Sequence, residues 1–144
     1  VGDVFPQYKG VTPRGWSNGK TWDDVPGAYD PATKTVYAGA GTTGGHGSNS
    51  LLLHEYGHAV DYALNLSGDK EITDAHSAIG WMNSYFSQKG RAGREEAVAE
   101  LFSLIGMSDR ERAAAISVMG KTAKDIQNIE KMYALLMKKI EQRV

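Results

Sequence analysis

Residues 50–66 read Ser50-Leu51-Leu52-Leu53-His54-Glu55-Tyr56-Gly57-His58-Ala59-Val60-Asp61-Tyr62-Ala63-Leu64-Asn65-Leu66. Leu52, Tyr56, Ala59, Val60 and Ala63 recur at steps of three and four, the spacing of one helical face. Ser48, Asn49 or Ser50 can cap the start. The pattern predicts a helix through about Leu66, with that apolar stripe buried and Gly68 ending it. Within it lies His-Glu-x-x-His. Two histidines four apart share a face, one turn apart along the axis. Two imidazole nitrogens then reach one ion at the ~2.0–2.1 Å that zinc prefers. Glu55 projects toward the open side of such an ion, where it can take a proton from water rather than bind the metal. Gly57 costs a helix interior about 0.5–1 kcal/mol against alanine, so it implies a packing or functional reason.

Upstream, the chain changes style. Its first 50 residues hold all four prolines and most of the glycines. Pro6, Gly10, Pro13, Gly15, Gly19, Pro26 and Gly27 punctuate a turn-rich start. Trp16, Trp22 and Tyr29 would cover one side of a small core, or wall a pocket. Asp30-Pro31-Ala32-Thr33-Lys34 reads as a turn and Thr35-Val36-Tyr37-Ala38-Gly39 as a strand. The glycine-rich run from Gly39 to Gly47 lacks the Gly-Lys-Ser/Thr ending of a phosphate loop. His46 within it is read as a loop residue near the metal helix.

Downstream, the pattern is helical. A second helix is expected over Thr73–Gln88, with Ile79, Met82 and Phe86 facing inward. A third should run from near Arg94 to Ile105, and a short one, capped by Asp109, should end at Gly120. A long closing helix has Ile126, Ile129, Met132, Tyr133, Leu136 and Ile140 on one face. It is expected to pack on the His-Glu-x-x-His helix.

A length of 144 residues fits one domain. Sixteen basic against 17 acidic residues give a net charge of −1, with no field to gather nucleic acid or anionic lipid. There is no cysteine, which excludes disulfides and thiolate zinc sites. No apolar run is long enough to span a membrane, and no signal peptide is recognisable. The start at Val1 reads as a trimmed product or a piece of a longer protein.

A catalytic zinc site needs a third protein ligand. A histidine six residues after His58, behind a glycine, would complete one arrangement, but Leu64 and Asp61 hold those positions. Asp61 shares the face, yet one straight helix cannot wrap three ligands when His54 and Asp61 lie roughly 10 Å apart along the axis. Asp61 is expected to be structural or to support a ligand. Arg94-Glu95-Glu96-Ala97-Val98-Ala99-Glu100-Leu101-Phe102 offers a carboxylate from another helix. Glu96 and Glu100 stand one turn apart, among apolar neighbours. Glu96 could bind the metal, and Glu100 could accept a hydrogen bond from a liganding imidazole and fix its tautomer. His76 is the rival third ligand.

These paired motifs resemble the gluzincin metallopeptidases, and among them the anthrax lethal factor catalytic domain-like family. The likeness covers roughly residues 30–108. It implies a zincin-like α+β fold, a small antiparallel sheet with an edge strand beside a mostly helical body, in one metallopeptidase domain over 1–144. It implies a zinc-dependent endopeptidase with Zn2+ held by His54, His58 and Glu96 and with Glu55 as general base. Thr35–Ala38 would be the edge strand that pairs with an extended peptide. A peptide or protein substrate, a monomer, and a secreted or delivered toxin or effector follow, with no nucleic-acid or membrane partner. Such relatives commonly carry a tyrosine seven residues before the ligand glutamate, and Lys89 stands there. Tyr85, Arg91 or Arg94 would have to supply a stabilising group instead. The alternative is a metal-binding interaction or structural module with lapsed peptidase activity.

Overall fold

The computed structural model describes residues 27–30, 32, 35–38 and 50–144. Trp16, Trp22, His46, the glycine-rich run and the side chain of Tyr29 lie outside the described residues.

Strand β1 (Gly27–Asp30) pairs antiparallel with β2 (Thr35–Ala38), Gly27 opposite Ala38 and Asp30 opposite Thr35. Both arms contact α1 (Leu51–Leu64). Then follow α2 (Lys70–Ser77), a 3-10 turn at Ser84–Ser87, α3 (Arg91–Phe102), α4 (Asp109–Ile116) and α5 (Ala123–Arg143). This corrects the expected α+β class with its small sheet and edge strand. The described residues are mostly helical. Their paired strands amount to one hairpin of two four-residue arms. A two-stranded ribbon is too small to form a sheet layer of its own.

The helix bounds follow local chemistry. Ser50 caps α1, its hydroxyl accepting from Leu53 N. Asn65, not Gly68, closes that helix, in the left-handed region at φ 53°. Asparagine tolerates that conformation better than most residues. Asp69 caps α2, which begins at Lys70, three residues before the expected start, and accepts from Glu71 N and Ile72 N. The expected helix through Gln88 stops at Ser77. Past it the chain runs extended, because Trp81 bridges Gly120 and Met82 N donates to the Met119 carbonyl at 2.8 Å. Met82 therefore points outward, 64% exposed. Ser108 caps α4, one residue before the expected Asp109, and Thr122 caps α5; each forms a capping box.

Leu66, Ile72, Val98, Leu101, Leu104, Ile116, Ile129, Met132 and Leu136 form the centre of the core. Helix α5 packs its Ile129–Met132–Leu136 stripe across α2, α3 and α4 rather than along α1. It meets α1 where Arg143 donates to the Leu64 carbonyl at 3.2 Å. No helix among the described residues is long and apolar enough to cross a membrane.

Candidate metal centre

Helices α1 and α3 make the most extensive helix contact of the fold. At their crossing, a Cβ on Gly57 would fall 2.7 Å from both the Cα and the carbonyl oxygen of Ala99. Glycine is required there because two backbones touch. The face of α1 that turns to α3 is its polar one: His54, Glu55, Gly57 and Asp61 are buried. The expected apolar stripe is not the buried one, since Leu52 and Tyr56 are more than half exposed. Carboxylates on α3 make the inversion tolerable, because buried ionisable groups need partners.

His54, His58 and Glu96 each offer a ligand atom within 4.8 Å of the others. His58 Nε2 lies 2.6 Å from Glu96 Oε1, and His54 Nε2 lies 3.7 Å from Glu96 Oε2. The two rings meet edge to face, centroids 5.0 Å apart. His54 is fully buried, whereas His58 and Glu96 keep partial access to solvent. Glu96 Oε2 is buried without a hydrogen-bond partner among the described residues. A carboxylate oxygen left so is costly, and a cation between it and the rings would satisfy it. Two imidazoles and a carboxylate are also the donor chemistry that divalent transition metals take. The residues present fit such an ion.

Behind His54, Nδ1 donates to Glu100 Oε1 at 3.3 Å. A carboxylate only accepts, so the proton sits on Nδ1 and Nε2 is left facing Glu96. Burial pushes the His54 pKa down, but Glu100 and Glu96 outweigh it and lift the ring to about 9. His58 is raised as well, burial being overcome chiefly by Glu96. Burial would raise Glu96, yet the His58 and His54 charges hold it far below the usual carboxylate range. With no ion present, the pair thus holds protons where a metal would sit.

The remaining candidates are engaged elsewhere. Asp61 Oδ1 accepts from Ser67 N at 2.6 Å, so it ties down the turn after α1. Arg91 Nε donates to Ser67 Oγ and Arg94 Nε to the Ser67 carbonyl, each at 3.0 Å. Arg91 also donates to Asn65 Oδ1 at 2.7 Å. All three polar groups of Ser67 are bound, and this knot fastens the end of α1 to the start of α3. Sequence reasoning missed it; the only signal was a serine beside a helix end. His76, weighed as a rival ligand, donates from Nε2 to the Phe86 carbonyl at 2.6 Å and stacks on Trp81. Its pKa is lowered, first by burial and then by the Arg94 charge. Tyr85 packs edge-on against Phe86, and Lys89 is exposed.

Known proteins resemble this chain over most of its length. A protein from Clostridioides difficile (strain 630) named Pro-Pro endopeptidase is 31% identical over 138 residues, covering 88% of this chain and 59% of its own. A Pro-Pro endopeptidase from Paenibacillus alvei is 37% identical over 118 residues, covering 73% and 50%. The chain therefore spans between half and three-fifths of the length of these curated relatives. The solved structure of the Pro-Pro endopeptidase (PPEP-2) from Paenibacillus alvei superposes with a TM-score of 0.65 at 32% identity, over 94% of this chain and 69% of that one. The family described as "Anthrax toxin lethal factor, N- and C-terminal domain" matches residues 3–116. With most of its length matched, the chain belongs to the anthrax toxin lethal factor family.

Proposed function

We propose that the chain is a zinc-dependent endopeptidase that hydrolyses peptide bonds in proteins or peptides carrying adjacent prolines. The observation that carries this reading is the convergence of His54 and His58 on α1 with Glu96 on α3, ligand atoms within 4.8 Å of one another. The relatives named Pro-Pro endopeptidase support the reaction and the proline-containing substrate. The likeness to a toxin component supports extending the reading to a secreted or delivered enzyme.

In this reading His54 Nε2, His58 Nε2 and the Glu96 carboxylate hold the ion. Bound there, zinc would polarise a scissile carbonyl and lower the pKa of water toward ~7. Glu55, buried on the same helix beside His58, takes a proton from the attacking water as its oxygen bonds to the carbonyl carbon. When the carbon–nitrogen bond breaks, Glu55 returns that proton to the departing amine. Glu100 keeps His54 protonated on Nδ1 and so keeps Nε2 available as a ligand.

The test pairs elemental analysis with mass-spectrometric products from a peptide library that includes Pro-Pro sequences, with and without chelator. Glu55→Gln should retain zinc and lose about 10²- to 10⁴-fold in turnover, the usual worth of a positioned base. Wild-type turnover in that variant, or a zinc-replete protein that holds no zinc, would refute the reading.

A further inference from the structure

We propose that Ser103 is a positioning residue of the metal centre, acting through Glu100 on His54; this rests on the metal site proposed above. Ser103 ends α3 and is 1% exposed. Its hydroxyl lies 2.9 Å from Glu100 Oε1, the same oxygen that accepts from His54 Nδ1 at 3.3 Å. The hydroxyl is also 2.5 Å from the Glu100 carbonyl. One proton serves both acceptors, a three-centre arrangement common at helix ends; the carbonyl contact is the shorter, and a carboxylate is the stronger acceptor by its charge. The serine thus pins the Glu100 side chain against its own backbone.

A glutamate has three side-chain torsions to lose on being held in one geometry, and the Ser103 hydroxyl is one of the groups that hold it. That hydroxyl bonds to the same Oε1 that accepts from His54 and so holds that oxygen beside the imidazole. The chain Ser103–Glu100–His54 is therefore an inward extension of the site, three residues deep, in which only the last would touch metal.

The experiment measures zinc affinity by competition with a fluorescent chelator, and melting temperature in excess chelator. Four proteins are compared: wild type, Ser103→Ala, Glu100→Gln and the double variant. Ser103→Ala should weaken zinc roughly tenfold, the low end of the effect of losing an outer partner, with the metal-free melting temperature little changed. In the Glu100→Gln background the serine substitution should change affinity no further. An affinity for Ser103→Ala within about twofold of wild type, or effects that add in the double variant, would overturn the inference. A drop confined to metal-free stability would overturn it too, by showing a merely structural serine. A wild-type protein that binds no zinc would sink the underlying metal site instead.

Discussion

Replacing Gly57 by alanine sets two forces of opposite sign against each other at the helix crossing. Helix propensity alone favours Gly57→Ala by about 1 kcal/mol. The new methyl, however, would lie 2.7 Å from Ala99 Cα and from the Ala99 carbonyl oxygen. Carbon atoms rest about 3.5–4.0 Å apart, so α1 and α3 must part by roughly 1 Å. The obstacle is backbone, which cannot swing aside as a side chain can. Overpacking of this kind costs about 1–3 kcal/mol, so the metal-free protein should lose up to ~2 kcal/mol in a urea titration once the propensity gain is deducted. The ligand set suffers more. His54 and His58 ride on one helix and Glu96 on the other, and metal sites hold their distances to about 0.2 Å. A parting several times larger should weaken zinc at least ~10-fold and shrink the rise in melting temperature on adding zinc. A Gly57→Ala protein with wild-type zinc affinity and a raised metal-free melting temperature would refute the account of the crossing.

Three further outcomes are expected. Zinc added to metal-free protein near pH 7 should release roughly one to two protons, because His54 is held at about 9 and His58 is raised; calorimetry in buffers of different ionisation heat would show it, and zinc binding without proton release would contradict the protonated pair. In the metal-free protein those raised imidazoles give stability that is complete below their unfolded value of 6.5, and the His54 share of it is lost as pH climbs through about 9. Metal-free melting temperature should therefore fall between pH 6.5 and 9.5, and a rise over that window would contradict the pairing. Leu136→Ala, in the fully buried stripe of α5, should cost about 2–5 kcal/mol by denaturant titration, and a loss under ~1 kcal/mol would remove α5 from the core.

The parts legible in the sequence were those governed by near neighbours. The stripe of α5 was readable because Ile129, Met132 and Leu136 repeat at helical spacing and do face the core. The run at Thr35 was readable as β2 from its β-branched and aromatic residues. What failed was set by distant partners. Ile79, Met82 and Phe86 keep the helical period, yet hydrogen bonds from Gly80 and Met82 to the 119–125 segment break the helix there, and Phe86 falls in the separate 3-10 turn. A period reports which face is apolar, not which backbone groups find partners across the fold.

The site shows the same division, with one instructive inversion. The spacing of His54 and His58 places both rings on one face, and the spacing of Glu96 and Glu100 does the same on the other helix; the structure brings the two faces together. Apolar periodicity assigned the buried side of α1 to Leu52 and Tyr56, which are exposed. Burying His54 and Asp61 instead is favourable only because α3 and the turn after α1 answer their polar groups: Glu100 accepts from His54 Nδ1, Glu96 faces both rings, and Ser67 donates to Asp61. A helix whose polar face is its inward face must have those partners built in. Gly57 brings α3 within reach of them, and that is why a residue unfavourable to the helix stands at its middle.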